Sequence, residues 1–410
     1  MRDLVCLSHL RWAFVFQRPQ HLLSRAARDR RVFFFEEPIV HDAPAELRVV
    51  DHGGVLVATP YIPRGLDAAA ITETQRHLLN GMFRRFEIDA EVLWYYTPMA
   101  LEFASDCRAD VTVYDCMDEL SNFKNAPAAL RTHEADLMQR ADLVFAGGSS
   151  LYGAKRERHP RVYLFPSSVD AAHFGQAREF TTDPDDQAAI PHPRVGFFGV
   201  IDERLDLDLV RTMAEDRPDL QFVFLGPTAK IEEADLPQGR NLHWLGGKDY
   251  RDLPSYLAGW EVAIMPFAHN ESTRFISPTK TPEYLAAGCP VVSTSIPDVV
   301  SGYAQSGLVR IADEPAAFLA AIDDALTDDR ELRLRRTDAL LRNQSWDRTW
   351  AEMDALIAEV GALNARVTQI NRRATVTREA TWPTHAHRPT PIRRPAVNAG
   401  EAIDTGATGA

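Results

Sequence analysis

At 410 residues the chain exceeds one ordinary core and predicts two domains. A hydrophobic fraction of 45% beside 25% charged residues is that of a soluble globular protein, and a formal charge of −13 excludes general nucleic-acid binding, which needs a basic surface. No apolar run approaches the roughly 20 residues of a membrane-crossing helix.

The first strand runs from Asp3 to Ser8. Behind it, His9, Arg11, Gln17 and Arg18 interrupt the apolar stretch, so no signal peptide is expected. The four cysteines (Cys6, Cys107, Cys116, Cys289) lack CxxC spacing and read as reduced core residues of a cytosolic protein. The loop HLRWAFVFQRPQHLL stands where a dinucleotide-binding chain carries GxGxxG, which makes a dinucleotide oxidoreductase a poor fit. Strands and helices then alternate. Arg31 to Glu36, Glu91 to Thr97, Asp110 to Tyr114, Leu143 to Gly147 and Val162 to Phe165 read as strands, and Val49 to Thr59 as a strand or hairpin. Ile71 to Phe86 and Arg131 to Arg140 read as helices. Such alternation predicts a parallel sheet with its sites at the carboxyl ends of the strands.

One of those ends, TVYDCMDELSNF, places Asp115, Asp118 and Glu119 just past a strand. Asp118 is the first choice for orienting an acceptor hydroxyl or taking its proton. Helix capping is its structural alternative. Another end, AGGSSLYGAKRERHP, brings Gly147, Gly148 and Ser149 toward a cleft. From Phe174 to Pro193 the chain turns polar and proline-bearing, as an interdomain linker does.

Arg194 to Val200 opens a second α/β unit, and IDERLDLDLV is expected to open a helix carrying Arg204. A guanidinium there binds a phosphate bidentately. Alternatively it pairs with Asp202 or Asp208 on a solvated face. Gln221 to Gly226 and Glu261 to Pro266 are further strands. The densest stretch is ISPTKTPEYLAAGCPVVST, residues 276–294. Ser277, Thr279 and Thr281 are candidate N-caps, Gly288 suits a left-handed stop, and Val291 to Thr294 reads as a strand. A helix opening with free N–H groups, hydroxyls and Lys280 is a place for phosphate oxygens. Glu283, one turn further in, is placed to accept hydrogen bonds from a sugar diol. The plainer reading of Lys280 and Glu283 is an i,i+3 surface pair. Trp346, Trp350, Met353, Leu356 and Ile357 then share one helical face, and residues 361–410 hold seven arginines against three acids, a net of +4. That composition reads as a disordered tail.

EYLAAGCPVV, with NLHWLGGKDYRDLPSYLAGWEVAIMPF before it, resembles the donor half of GT-B glycosyltransferases of the GT4-like group. The usual form of that motif is LEAMAAGxPVV behind a glutamate. The first glutamate of the family's Glu-x7-Glu pair would fall at Phe275, a departure from the pattern. The resemblance implies two Rossmann-like α/β domains facing across a cleft. They would be an acceptor-side domain over residues 1–175 and a nucleotide-sugar domain over 190–345, with a crossing helix over 346–362 and the tail over 363–410. It implies transfer from a nucleoside-diphosphate sugar to a glycan, lipid-linked or other acceptor in polysaccharide or glycoconjugate biosynthesis. Arg204 and Lys280 would neutralise the diphosphate, with Ser277, Thr279 and Glu283 beside it. Leu245 and Gly246 would meet the base, and Arg274 the sugar. No DxD-type carboxylate cluster stands out, so neither a metal nor another cofactor is expected. Contact with a membrane surface is expected at most at the periphery of a cytoplasmic protein, and the sequence sets no oligomeric state. A nucleotide-sugar epimerase of the same fold, or a non-catalytic nucleotide-binding protein, would share the donor loop.

Overall fold

The computed structural model describes residues 3–380, with side-chain surroundings to residue 370. Nine strands make the first sheet: β1 Asp3–Leu7, β2 Arg31–Phe35, β3 Ile39–His41, β4 Glu46–His52, β5 Val55–Pro63, β6 Ala90–Tyr95, β7 Val111–Cys116, β8 Leu143–Ala146 and β9 Val162–Leu164. Their order is β3-β5-β2-β1-β6-β7-β8-β9, with β4 antiparallel on β5 and the other pairings parallel. The central strands are buried on both faces, which is why DLVCL and RVFFF run apolar without alternation. Val49 to Thr59 lies in the β4–β5 hairpin.

Six parallel strands make the second sheet: β10 Arg194–Phe198, β11 Gln221–Leu225, β12 Leu242–Trp244, β13 Val262–Met265, β14 Val291–Ser293 and β15 Val309–Ile311, in the order β12-β11-β10-β13-β14-β15. The polar segment 174–193 is not a loose connector. Gln187 is fully buried and bonds Trp260, while Arg194 pairs with Asp183 and donates to the Ile190 carbonyl. Its polar residues satisfy one another against the second sheet, which composition alone does not reveal.

The helix Trp346–Ala380 packs Trp346, Trp350, Met353, Ile357 and Val360 into the core of the first sheet, with Trp350 6.2 Å from Trp94. Arg30 seals this contact with a salt bridge to Asp354. Within the expected tail, residues 363–380 continue this helix, with Leu363, Val367 and Ile370 exposed. The remainder of the expected tail, residues 381–410, lies outside the described residues. The helix expected to open at Ile201 starts at Leu207 under an Asp206 cap, because Asp202 folds back to accept from the Arg204 N–H and guanidinium. Among the described residues no helix is long and apolar enough to cross a membrane.

Candidate active site in the cleft between the sheets

The helix Lys280–Ala287 is held by its apolar side. Thr281 to Ala287 are buried, and the Tyr284 hydroxyl accepts from the Phe198 N–H at the end of β10. Gly288 closes it in the left-handed region at φ 91°, as the sequence predicts. At the other end the boundary residue is Thr279, whose side chain makes no cap. Pro282 contributes no N–H and Thr281 is fully buried, so Thr279 and Lys280 form the positively polarised end of the helix.

That end faces a narrow cavity of about 90 Å³ lined by Ser277, Pro278, Thr279 and Lys280 from this loop, Val200 and Arg204 from the turn after β10, and Met117 and Asp118 from the turn after β7. Gln17, Arg18, Gly147 and Ser167 complete it from the first lobe. Ser167 donates to the Ser277 carbonyl at 3.0 Å, which joins the two walls.

Charge in this throat is concentrated. Burial, reinforced by the Arg204 charge, holds the Lys280 ammonium below the ordinary lysine range, with Glu283, Asp202 and Asp118 opposing. Burial pushes the Glu283 carboxyl up, against the pull of Lys280 and the Thr279 hydroxyl, and its Oε2 has no partner. Burial likewise pushes Asp118 up to about 6, partly countered by Arg204. Arg204 keeps its proton because bonds to Asp202 outweigh its own desolvation.

The Lys280 stem lies across the end of β10. A Cβ at Gly199, whose φ is 142°, would stand 2.1 Å from Lys280 Cε. Only glycine leaves that passage open.

Asp118, Arg204, Ser277, Thr279 and Lys280 therefore meet in one cavity. Glu283 lies one turn deeper and does not line it. Leu245 and Gly246 sit past the end of β12, where the Gly246 carbonyl accepts from Gly226, outside this cavity. Arg274 is a surface side chain, 64% exposed, beside Glu271 and over the Phe275 ring. The geometry gives it no place in the throat, because the short turn before Ile276 points it outward. Arg18, which opens the helix Arg18–Ala26, is consumed structurally. It is buried and forked onto Asp115, with a further bond to the Phe165 carbonyl. Two participants carried no sequence signal. Ser167 lies in an irregular stretch after β9, and Lys230 sits in a loop in a left-handed conformation at φ 62°. Lys230 Nζ reaches within 4.4 Å of the Phe123 ring centroid, and Arg204 Cζ lies 5.6 Å from the same ring, so an aromatic of the first lobe spans two cations of the second.

The second sheet and this loop coincide with a known family. Residues 192–328 match the model of Glycosyl transferases group 1. The chain is 26% identical over 285 residues to the putative teichuronic acid biosynthesis glycosyltransferase TuaH of Bacillus subtilis (strain 168), covering 62% of this chain and 68% of that one. Sucrose-phosphate synthase (tll1590) from Thermosynechococcus elongatus superposes with a TM-score of 0.69 at 14% identity, over 88% of this chain and 100% of its own. An E. coli trehalose-6-phosphate structure bound with UDP-2-fluoro glucose does so with 0.64 at 13%, over 88% and 99%. The two facing α/β sheets are thus those of the GT-B fold, and the chain is a glycosyltransferase whose residues 192–328 match the group 1 glycosyl transferase model.

Proposed function

We propose that the cleft transfers a glycosyl unit from a nucleoside-diphosphate sugar to an acceptor hydroxyl without a metal ion. The observation that carries this reading is the convergence of Arg204, Lys280 and an uncapped helix end from separate elements on one throat. Two cations and the positively polarised helix end at Lys280 match the charge that gathers on a departing diphosphate. Arg204, turned by Asp202, offers a planar fork, and Lys280 offers a point charge. An arriving anion favours the charged lysine, so nucleotide binding takes up a proton where free Lys280 is partly neutral.

Asp118 faces these cations and orients the acceptor hydroxyl. As the bond between the anomeric carbon and the diphosphate breaks and the acceptor oxygen bonds that carbon, the hydroxyl proton passes to the Asp118 carboxylate. The hydroxyls of Ser277 and Thr279 line the donor path, and Glu283 fixes the ribose after a small shift of Lys280. Leu245 and Gly246 serve as the rim that the base approaches, and Arg274 acts only through the outer part of the donor. A uridine diphosphate sugar is the first donor to test, since UDP-2-fluoro glucose is the ligand of the structural neighbour at 13% identity. The relative from B. subtilis is named for teichuronic acid biosynthesis, which supports a glycan or lipid-linked acceptor here, in polysaccharide biosynthesis on the cytoplasmic side and at most peripheral to a membrane.

Calorimetric titration with UDP, GDP and ADP tests the donor half. One of them is expected to bind, with EDTA changing nothing. Lys280→Ala is expected to weaken that nucleotide at least tenfold, since a charged hydrogen bond contributes roughly 1.5–3 kcal/mol, while the melting temperature without ligand stays close to wild type. Unchanged affinity would remove Lys280 from the site.

A further inference from the structure

A second and larger cavity of about 860 Å³ continues from the throat, sharing Gln17, Met117, Asp118, Val200 and Arg204 with it. It is of the size that encloses a drug-sized ligand, far more than one sugar ring needs. Beyond the shared residues its apolar stretch is built by Leu10, Phe14, Ile71, Met99, Phe103 and Leu130, from four separate segments of the first lobe, among polar residues such as Arg11, Gln75 and Lys124. Phe103 is fixed against Phe35 at 5.7 Å, whereas Phe14 is 49% exposed with its ring at the cavity mouth.

Two carboxylates that line this cavity are engaged with the protein, while His9 Nδ1 and Arg11 Nη1 are buried without a hydrogen-bond partner. Glu36 accepts from the Trp12 N–H and the Thr59 hydroxyl, and Glu102 accepts from His133 and Thr72. A bare oligosaccharide laid along Ile71, Met99 and Phe103 would leave the hydroxyls facing them without partners, and each buried orphan costs about 1–3 kcal/mol. An apolar group would instead cover the wall and bury Phe14.

Resting on the transferase reading above, we propose that the acceptor is an amphiphile: a sugar hydroxyl carried on an apolar aglycone, with the hydroxyl at Asp118 and the aglycone along the Ile71–Met99–Phe103 wall. A lipid-linked saccharide, an alkyl glycoside and an aryl glycoside share this chemistry.

The full chain is titrated with UDP alone, and then, with UDP present, with methyl, butyl, hexyl and octyl β-glucosides below their micelle concentrations. The p-nitrophenyl and citronellyl glucosides distinguish aromatic and isoprenoid aglycones from straight chains. Affinity is expected to rise roughly three- to fourfold for each methylene buried. Met99→Gln and Ile71→Asn are expected to weaken octyl glucoside at least tenfold and to flatten the series. Phe14→Ser, at a half-exposed position that the fold does not need, gives the same direction if either inner variant fails to fold. Equal affinity for the methyl and octyl compounds overturns the proposal, as does an octyl affinity untouched in the folded variants. Loss of UDP binding with the chain-length series intact would sink the donor reading and leave this one standing.

Discussion

Asp118 shows what the cleft asks of one side chain. Its carboxyl is pushed up to about 6 by burial, from an ordinary value of 3.8. A carboxyl raised in the folded state binds a proton more tightly there than in the unfolded chain. Its contribution to stability is therefore fully present below pH 3.8 and lost as the pH rises through about 6. At pH 8 the ionised group costs roughly 3 kcal/mol relative to acid conditions. Asp118→Asn removes that cost. The variant is expected to unfold at higher denaturant than wild type at pH 8, by an amount that shrinks toward pH 4, while transfer to any acceptor drops at least a hundredfold. In wild type the rate is expected to rise with pH through about 6. A variant no more stable at pH 8 would mean that Asp118 is not desolvated.

Asp118 was legible because a strand end followed by acids has a predictable position in a parallel sheet. Lys230 was not. It reaches the cleft through an irregular loop, and its neighbour Phe123 comes from the other lobe, so no local periodicity or spacing records the pairing. Arg274 is the converse case: its exposed direction follows from a short turn, which spacing does not encode.

At the scale of elements, the loop 276–294 read almost completely, since glycine stop, buried helix and following strand each have a local signal. Its supporting partner did not. Gly199 follows β10 and Gly226 follows β11, and a Cβ at Gly226 would stand 1.7 Å from the Gly199 carbonyl oxygen. These glycines let the two strand ends and the Lys280 stem lie against one another, a requirement visible only once the elements are assembled. Gly199→Ala must adopt a disfavoured φ of 142° and push Lys280 aside. We expect a loss of about 1–3 kcal/mol in denaturant unfolding, and nucleotide affinity falling at least as far as in Lys280→Ala. Stability lost with affinity intact would show that the lysine stem relaxes around the new methyl and keeps its grip.

For the molecule as a whole, the open question is what makes two sheets act as one catalyst. The apolar face of the helix Trp346–Ala380 was readable from its tryptophans, and it answers part of the question by packing a C-terminal segment into the first sheet's core. The rest is polar and was not readable. Asp298, buried in the second lobe, accepts from both the N–H and the hydroxyl of Ser150 in the first, and a Cβ at Gly148 would collide with it. Ser167 on Ser277 and Asn122 on the Glu271 carbonyl add two more bonds across the cleft. Asp298→Ala leaves the Ser150 donors without their partner at a cost of about 1–3 kcal/mol. Because Asp298 touches neither Lys280 nor Arg204, nucleotide affinity is expected to hold within about twofold. Turnover should fall further than affinity, since Asp118 and the cations line the cavity from opposite lobes and a looser seam spoils their alignment. Hydrogen exchange at the Ser150 amide is the direct readout. It should quicken in the variant, and an unchanged rate together with wild-type turnover would show that this bond does not hold the lobes in register.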